Sequence, residues 1–137
     1  MEIKKVNAAA LAAIDAATNL GLSICISVLD SGAHAILTLR MDDANFMTIE
    51  AARRKAKTAF LFKCPSHVLA LIVDKVPKLS IEIEKLPGDA MMIEGGLPIV
   101  ENGKTIGGVG VSGGNFEQDL AVASAFIEKM SSEYIIN

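Results

Sequence analysis

The stretch from Leu97 to Asn115 limits what this chain can fold into more than any other part of it. Asn102-Gly103 stands between two apolar runs, Leu97-Pro-Ile-Val100 and Thr105 to Val111. Asn-Gly in that setting is the strongest short hairpin signal, because the central residues of a type I′ turn need positive φ. The turn sets Glu101 opposite Lys104, a small favourable pair. The returning arm carries glycine at 107, 108 and 110. Bare backbone inside a strand either lets a helix pack closely or leaves space for a ligand. Ser112-Gly113-Gly114 then leads into a last helix that runs to about Met130, with Asn115 and Gln118 spaced as N-cap and N3. Unpaired N–H groups at that helix start can hold a carboxylate or phosphate. Glu117 and Asp119 already occupy the favourable field there and would repel an anion.

Gly108, Gly110 and Gly113 match G-x-G-x-x-G, but a dinucleotide fingerprint follows the first strand of a parallel βαβ unit, with an acidic residue about 20 positions on. Here the glycines lie on the second arm of a hairpin and Asp119 comes too soon, so the match is discounted.

Upstream, Val6, Ala10, Ala13, Ile14, Ala17 and Leu20 mark one face of a helix that Gly21 stops. Leu22 to Asp30 alternates with period two, and a second run goes from His34 to Met41. With Ser31-Gly32 as a two-residue turn, Val28 faces Ala35, Ile26 faces Leu37 and Ile24 faces Leu39. A loop longer by two keeps those faces, whereas a slip of one mixes them. The other face carries Ser23, Cys25, Ser27, His34, Thr38 and Arg40. A second helix is predicted from about Thr48, as N-cap, to Lys63, with Ile49, Ala52, Ala56, Ala59 and Phe60 on one face and Arg53, Arg54 and Lys57 on another. Pro65-Ser66 opens a shorter helix, capped by Ser66, that buries Val68 or Leu69, Ile72 and Val76 and ends at Pro77. Residues 78–87 read as strand or helical turn.

A chain of 137 residues with no internal repeat or linker is one domain, residues 1–137, able to bury a core without a metal or disulfide staple. Hydrophobic residues make up 51 % and aromatics only 4 %, so the core is built from small and aliphatic side chains. A net charge of −3 supplies no basic surface for a nucleic-acid backbone. No apolar run reaches bilayer length, and Asn7 and Asp15 interrupt any signal-type stretch, so a cytoplasmic protein that neither binds nucleic acid nor enters a membrane is expected. Cys25 and Cys64 form no C-x-x-C motif and read as free thiols, although a disulfide stays open.

The candidate ligand contacts are the Gly95-Gly96 turn, the Ser112-Gly113-Gly114 loop, and Lys55 with Thr58 a turn away on the second helix. His34, on the mixed face near Arg40 by alternation, is the candidate metal or haem-iron donor, with Arg40 for a carboxylate; its competing reading is a turn-flanking surface histidine. His67 reads as a solvated residue at a helix start. The chain has no G-x-S-x-G elbow and no acidic pair or His/Cys cluster of recognisable spacing, so no catalytic residue is assigned.

The ordered set Val28-Leu-Asp-Ser-Gly32, Arg40-Met-Asp42, Lys55-Ala56 with Thr58-Ala59, Gly95-Gly-Leu-Pro-Ile99, Ile106-Gly-Gly-Val-Gly-Val-Ser-Gly-Gly114 and Gln118-Asp119 resembles the GlcG/HbpS-like family, which includes the C-terminal domain of PduO-type cobalamin adenosyltransferases. The resemblance covers nearly the whole chain. It implies an α+β fold, a five-stranded antiparallel sheet flanked by helices as in profilin and PAS-like sensors, and homo-oligomers, often tetramers or octamers. It also implies haem or another tetrapyrrole as the most specific ligand, for a small-ligand-binding accessory protein. Two further readings stand beside it: an enzyme or accessory factor of glycolate or diol metabolism acting on a small hydroxy acid or aldehyde, and a structural oligomer whose glycines serve packing alone.

Overall fold

A computed structural model describes residues 1–87 and 89–135, with side chains as far as Ser132. Along the chain the elements are α1 (Ile3–Asn19), β1 (Cys25–Leu29), β2 (Ala35–Arg40), α2 (Met47–Phe62), α3 (Ser66–Lys75), α4 (Pro77–Lys85), β3 (Gly96–Glu101), β4 (Lys104–Ser112) and α5 (Phe116–Ile135). Each pair of short-looped strands forms an antiparallel hairpin, and β1 pairs with β4 to join the two into one sheet of order β2-β1-β4-β3. Among the described residues the sheet has four strands, where the resemblance implies five. No single helix is long and apolar enough to cross a membrane among those residues.

Alternation along the strands divides the two faces. Ile26, Val28, Val109 and Val111 point to one side, where they meet Ala9, Ala10, Ala13 and Ala17 of α1 and Val122, Ala123 and Phe126 of α5 in the main core. Alanines on α1 keep its surface low, so α1 and α5 lie close together and close to the sheet. Each fully buried aliphatic side chain there contributes about 1.5–3 kcal/mol. The first hairpin keeps the expected faces by the longer loop: Val28 pairs with Leu37 and Ile26 with Leu39, with a bulge between Val28 and Leu29. In the second, Glu101 faces Lys104 and Asn102 and Gly103 both have positive φ, 51° and 76°.

The opposite face carries α2, seated directly on bare backbone. A Cβ at Gly108 would collide with the Ala56 carbonyl, and one at Gly110 with the Ala52 carbonyl and the Ala56 nitrogen. One at Gly96 would strike the Lys55 carbonyl. Of the two uses open to the glycine-rich strand, close helix packing is the one realised. The space that the bare backbone leaves beside the late hairpin is filled by the backbone of α2.

Helix ends differ from expectation in instructive ways. Thr48 does not cap α2; it lies inside the first turn and its Oγ1 donates back to the Asn45 carbonyl at 2.6 Å. Ser66 does not cap α3 either. It is fully buried, donates to the Ile93 carbonyl and accepts the Gly96 N–H at 2.9 Å. Leu69 and Val73 are the apolar residues α3 buries, while Ile72 and Val76 are exposed, because α3 lies against the 90–96 segment rather than the sheet centre. The ambiguous stretch after Pro77 is helical, with the proline at the first helical position. At α5 the reciprocal cap forms as expected, with Asn115 N–H on Gln118 Oε1 at 2.9 Å and Gln118 N–H on Asn115 Oδ1 at 2.8 Å.

Because the atoms facing Gly110 belong to helix backbone and cannot rotate away, Gly110→Ala should cost about 3 kcal/mol or more and shift the urea midpoint accordingly. A Gly110→Ala protein within about 0.5 kcal/mol of wild type would show that α2 is not seated on that strand.

Candidate functional site

Lys55 lies on the inner arc of α2 among Ala52, Ala56 and Ala59, where a long cation has no route to water. Its Nζ donates to the Val111 carbonyl and to Asp119 Oδ2, both at 3.0 Å. The two side chains are 2 % and 3 % exposed. Asp119 uses its other oxygen to accept the Gly114 N–H at 2.8 Å, so the carboxylate serves both the lysine and the entry of α5. Burial pushes the Asp119 carboxyl up, against the pull of the Lys55 ammonium and the Gly114 and Gly113 N–H groups. Thr58, one turn on, donates to the Arg54 carbonyl at 2.7 Å and accepts the Met91 N–H at 2.9 Å. Together with Ser66, these buried polar groups clamp the 91–96 segment between α2 and α3.

Most of the proposed contact residues therefore meet at one interior seam. Gly95, with φ of 122°, passes against Lys55 and the Val111 carbonyl, and a Cβ there would strike both. Gly113, with φ of 136°, packs on Ser23 and Ile24, and a Cβ at Gly114 would meet Gln118. Ser112 ends β4 opposite Cys25. Asp119 and Ser66 were not among the sequence candidates. The available signal was Lys55 itself: a lysine three residues from Ala52 and four from Ala59 occupies a buried position and demands a buried acid.

His34 and Arg40 are not brought together. Both strand alternation and the shared hairpin are as expected, but His34 stands at the β1–β2 turn and Arg40 at the far end of β2, about 20 Å away at the rise of an extended strand. Arg40 lies over the Phe46 ring, 5.0 Å from its centroid, and donates to the Ala44 carbonyl at 3.3 Å. His34 is 83 % exposed, with Nδ1 3.6 Å from Asp30 Oδ1. That same Asp30 oxygen accepts the Gly32 and His34 N–H groups at 2.8 and 3.0 Å, which lowers the Asp30 pKa. His67 is half-buried rather than solvated, and its Nδ1 has no hydrogen-bond partner, as is true of the buried Ser27 hydroxyl. Cys25 and Cys64 are free. Among the described residues no three His, Cys, Asp or Glu side chains gather as a metal set.

Two open clefts lie at the turn end of the sheet. One cleft of about 370 Å³ runs between the β3–β4 hairpin and the second half of α5, with Ile99, Ile106, Ile127 and Met130 as its apolar lining and Glu101, Asn102 and Ser131 as its polar rim. A second, of about 410 Å³, is lined by Met1, Asp30, Ser31, Ile36, Lys104 and Thr105. Glu101 and Ile106 belong to both, so the clefts adjoin. No motif announces them, because they arise where two turns and a helix from distant parts of the chain come together.

A four-stranded antiparallel sheet with one helix on its bare-backbone face and two on the other defines a small α+β module. The chain belongs to the haem-degrading-protein HbpS-like family, whose model matches residues 1–128. It is 34 % identical over 116 residues to the corrinoid adenosyltransferase PduO of Salmonella typhimurium, covering 85 % of this chain and 34 % of that protein, so it spans about a third of the relative's length. Among solved structures, Klebsiella pneumoniae ORFY superimposes with a TM-score of 0.90 at 29 % identity over 96 % of this chain and 91 % of that one. A complex of PduOC with haem superimposes with a TM-score of 0.86 at 30 % identity over 94 % of each chain.

Breaking the buried pair from one side leaves a stranded charge. Lys55→Met should cost about 3–5 kcal/mol, and Lys55→Met combined with Asp119→Leu should cost clearly less than the two single changes together. Additive losses in urea unfolding would show the two are not coupled. On the outer face of α2, Glu50 bonds Arg53 and Arg54, which lower its carboxyl from 4.5 to about 2. A depressed folded value stabilises above the unfolded value and is lost as pH falls toward about 2. Because these side chains are more than a third exposed, the effect is at most about 1 kcal/mol. The stability gap between wild type and Glu50→Gln should accordingly close on acidification, and a gap that widens would contradict the pairing.

Proposed function

We propose that this chain is a small-ligand-binding accessory protein and that the adjoining clefts at the turn end of the sheet are where the ligand sits. The observation that carries the proposal is their size and lining: adjoining clefts of about 370 and 410 Å³ that share Glu101 and Ile106, the first lined by apolar and polar groups alike and the second mostly polar. Sites for drug-sized molecules have this size.

Haem is the ligand we assign to them. The chain's own residues fit it. Val100, which is exposed, and the half-buried Ile106 and Ile127 offer apolar surface to a macrocycle, and Lys104 offers a cation to a propionate. His34 stands in the turn whose Asp30 and Ser31 line the second cleft, with its Nδ1 side turned to Asp30. That leaves Nε2 as the donor to iron, with a carboxylate behind the ring as metal-bound histidines commonly have. When bound, haem supplies an iron centre able to bind small molecules or change oxidation state. The protein's part is to bury the ring, hold the imidazole and pair the propionates. Arg40, at the other end of β2, plays no part in this site. The structure of the PduOC–haem complex supports the assignment by likeness of fold. The homo-oligomer implied by the resemblance belongs to the same proposal, supported by Phe46 and Met47, which are 80 % and 74 % exposed.

Titration with haemin should give a saturable Soret shift. His34→Ala should weaken binding by about tenfold or more, whereas Arg40→Ala should leave it within about twofold. A spectrum identical to free haemin removes haem from the proposal, and a loss confined to Arg40→Ala moves the site to the opposite end of the sheet.

A further inference from the structure

The molecule holds a second apolar cluster that is separate from the main core. Leu69 and Val73 of α3 and Ile83 of α4 form it, with Phe62, Cys64 and Met92 packed at its edge. The main core is made instead by α1, α5 and the strands. The attachment of α4 to the rest of the chain is slight. Of its nine residues only Ile83 is buried, at 4 % exposure. Its side-chain hydrogen bonds, Ser80 to the Pro77 carbonyl and Lys85 to Glu82, stay within the helix. Val76 and Leu86, the residues that bound it, are non-helical, and each precedes a proline that disfavours helical continuation.

Space lies under this helix. Cavities of about 40 and 180 Å³ share Ile83, Leu86, Asp89 and Ala90 in their walls. By contrast the ground beneath is fixed: Ser66 holds the Ile93 carbonyl and the Gly96 N–H, Thr58 holds the Met91 N–H, and Arg53 reaches Asp89 at 3.7 Å.

We propose that α4 is a flap, latched by the buried Ile83 with the half-buried Leu79 packed beside it, which opens by local unfolding and merges the two cavities beneath it into one crevice while the sheet and the other helices stay folded. A peripheral helix with one buried side chain has a low local opening free energy, well below that of the global core. A lesion in such a latch can lower stability only by loosening the flap, so the main core should not register it. The crevice is separate from the clefts at the turn end, and the flap stands or falls independently of haem binding.

Hydrogen exchange and alkylation of Cys25 test the flap on the full chain. Cys25 is fully buried in the sheet and free, so its alkylation in native conditions reports opening of the main body. The amides of 80–85 should exchange at least roughly tenfold faster than those of 122–130 in α5. Ile83→Ala should speed exchange in α4 further and leave Cys25 alkylation unchanged. Val122→Ala, in the main core, should speed Cys25 alkylation, which shows that the reporter responds. The proposal is overturned if wild-type α4 exchanges no faster than α5, or if Ile83→Ala accelerates Cys25 alkylation as much as Val122→Ala does.

Discussion

The backbone-to-backbone approach of α2 and β4 governs much of what surrounds it. Without side chains at Gly108 and Gly110, the helix sinks until the carbonyls of Ala52 and Ala56 lie over the strand. A helix seated this low cannot accommodate a long side chain between itself and the sheet, so Lys55 has to extend sideways along the seam. Its ammonium is then out of water and needs partners at once, and Val111 and Asp119 provide them. Asp119 is itself held by the N–H of Gly114, in the loop that leads into α5. One consequence of close packing thus fixes the positions of α2, β4 and α5 relative to one another. Ion pairs of this kind add little net stability over apolar packing, and their best-attested use is to specify a single arrangement.

How much of this could be read from the chain depended on whether the signal was local. The Asn102-Gly103 turn, the Asn115–Gln118 cap and the alternation of β1 and β2 are encoded within a few residues, and each forms as its residues dictate. Ser66 looked like a cap because serine before an apolar run usually is one. It was recruited instead by a carbonyl 27 residues away, which no local rule contains. The same holds for the glycines. Their sequence correctly said that something must come close, and only the position of α2 decides that the visitor is a helix. His34 and Arg40 illustrate the complementary error: period two places residues on one face but says nothing about proximity along the strand.

The two ends of the sheet have accordingly different characters. At the end where β4 runs into α5, the buried Lys55, Asp119 and Ser66 side chains are satisfied within the chain and glycines are closed over by backbone. At the end where both hairpins turn, the chain leaves clefts lined by strand ends, their turns and the second half of α5. Ligand sites on loops positioned by a rigid body are the usual division of labour in small domains, and the buried seam is what makes the body rigid.

Asp30 joins the two levels of the argument. Its carboxylate first serves the fold, accepting two backbone N–H groups that hold the β1–β2 turn, and those bonds lower its pKa. Hydrogen bonds to the charged form are what keep a solvent-facing carboxylate ionised into acid. The residue that fixes the loop thus also stands beside the His34 ring, so one carboxylate links the turn's backbone to the side chain at its edge.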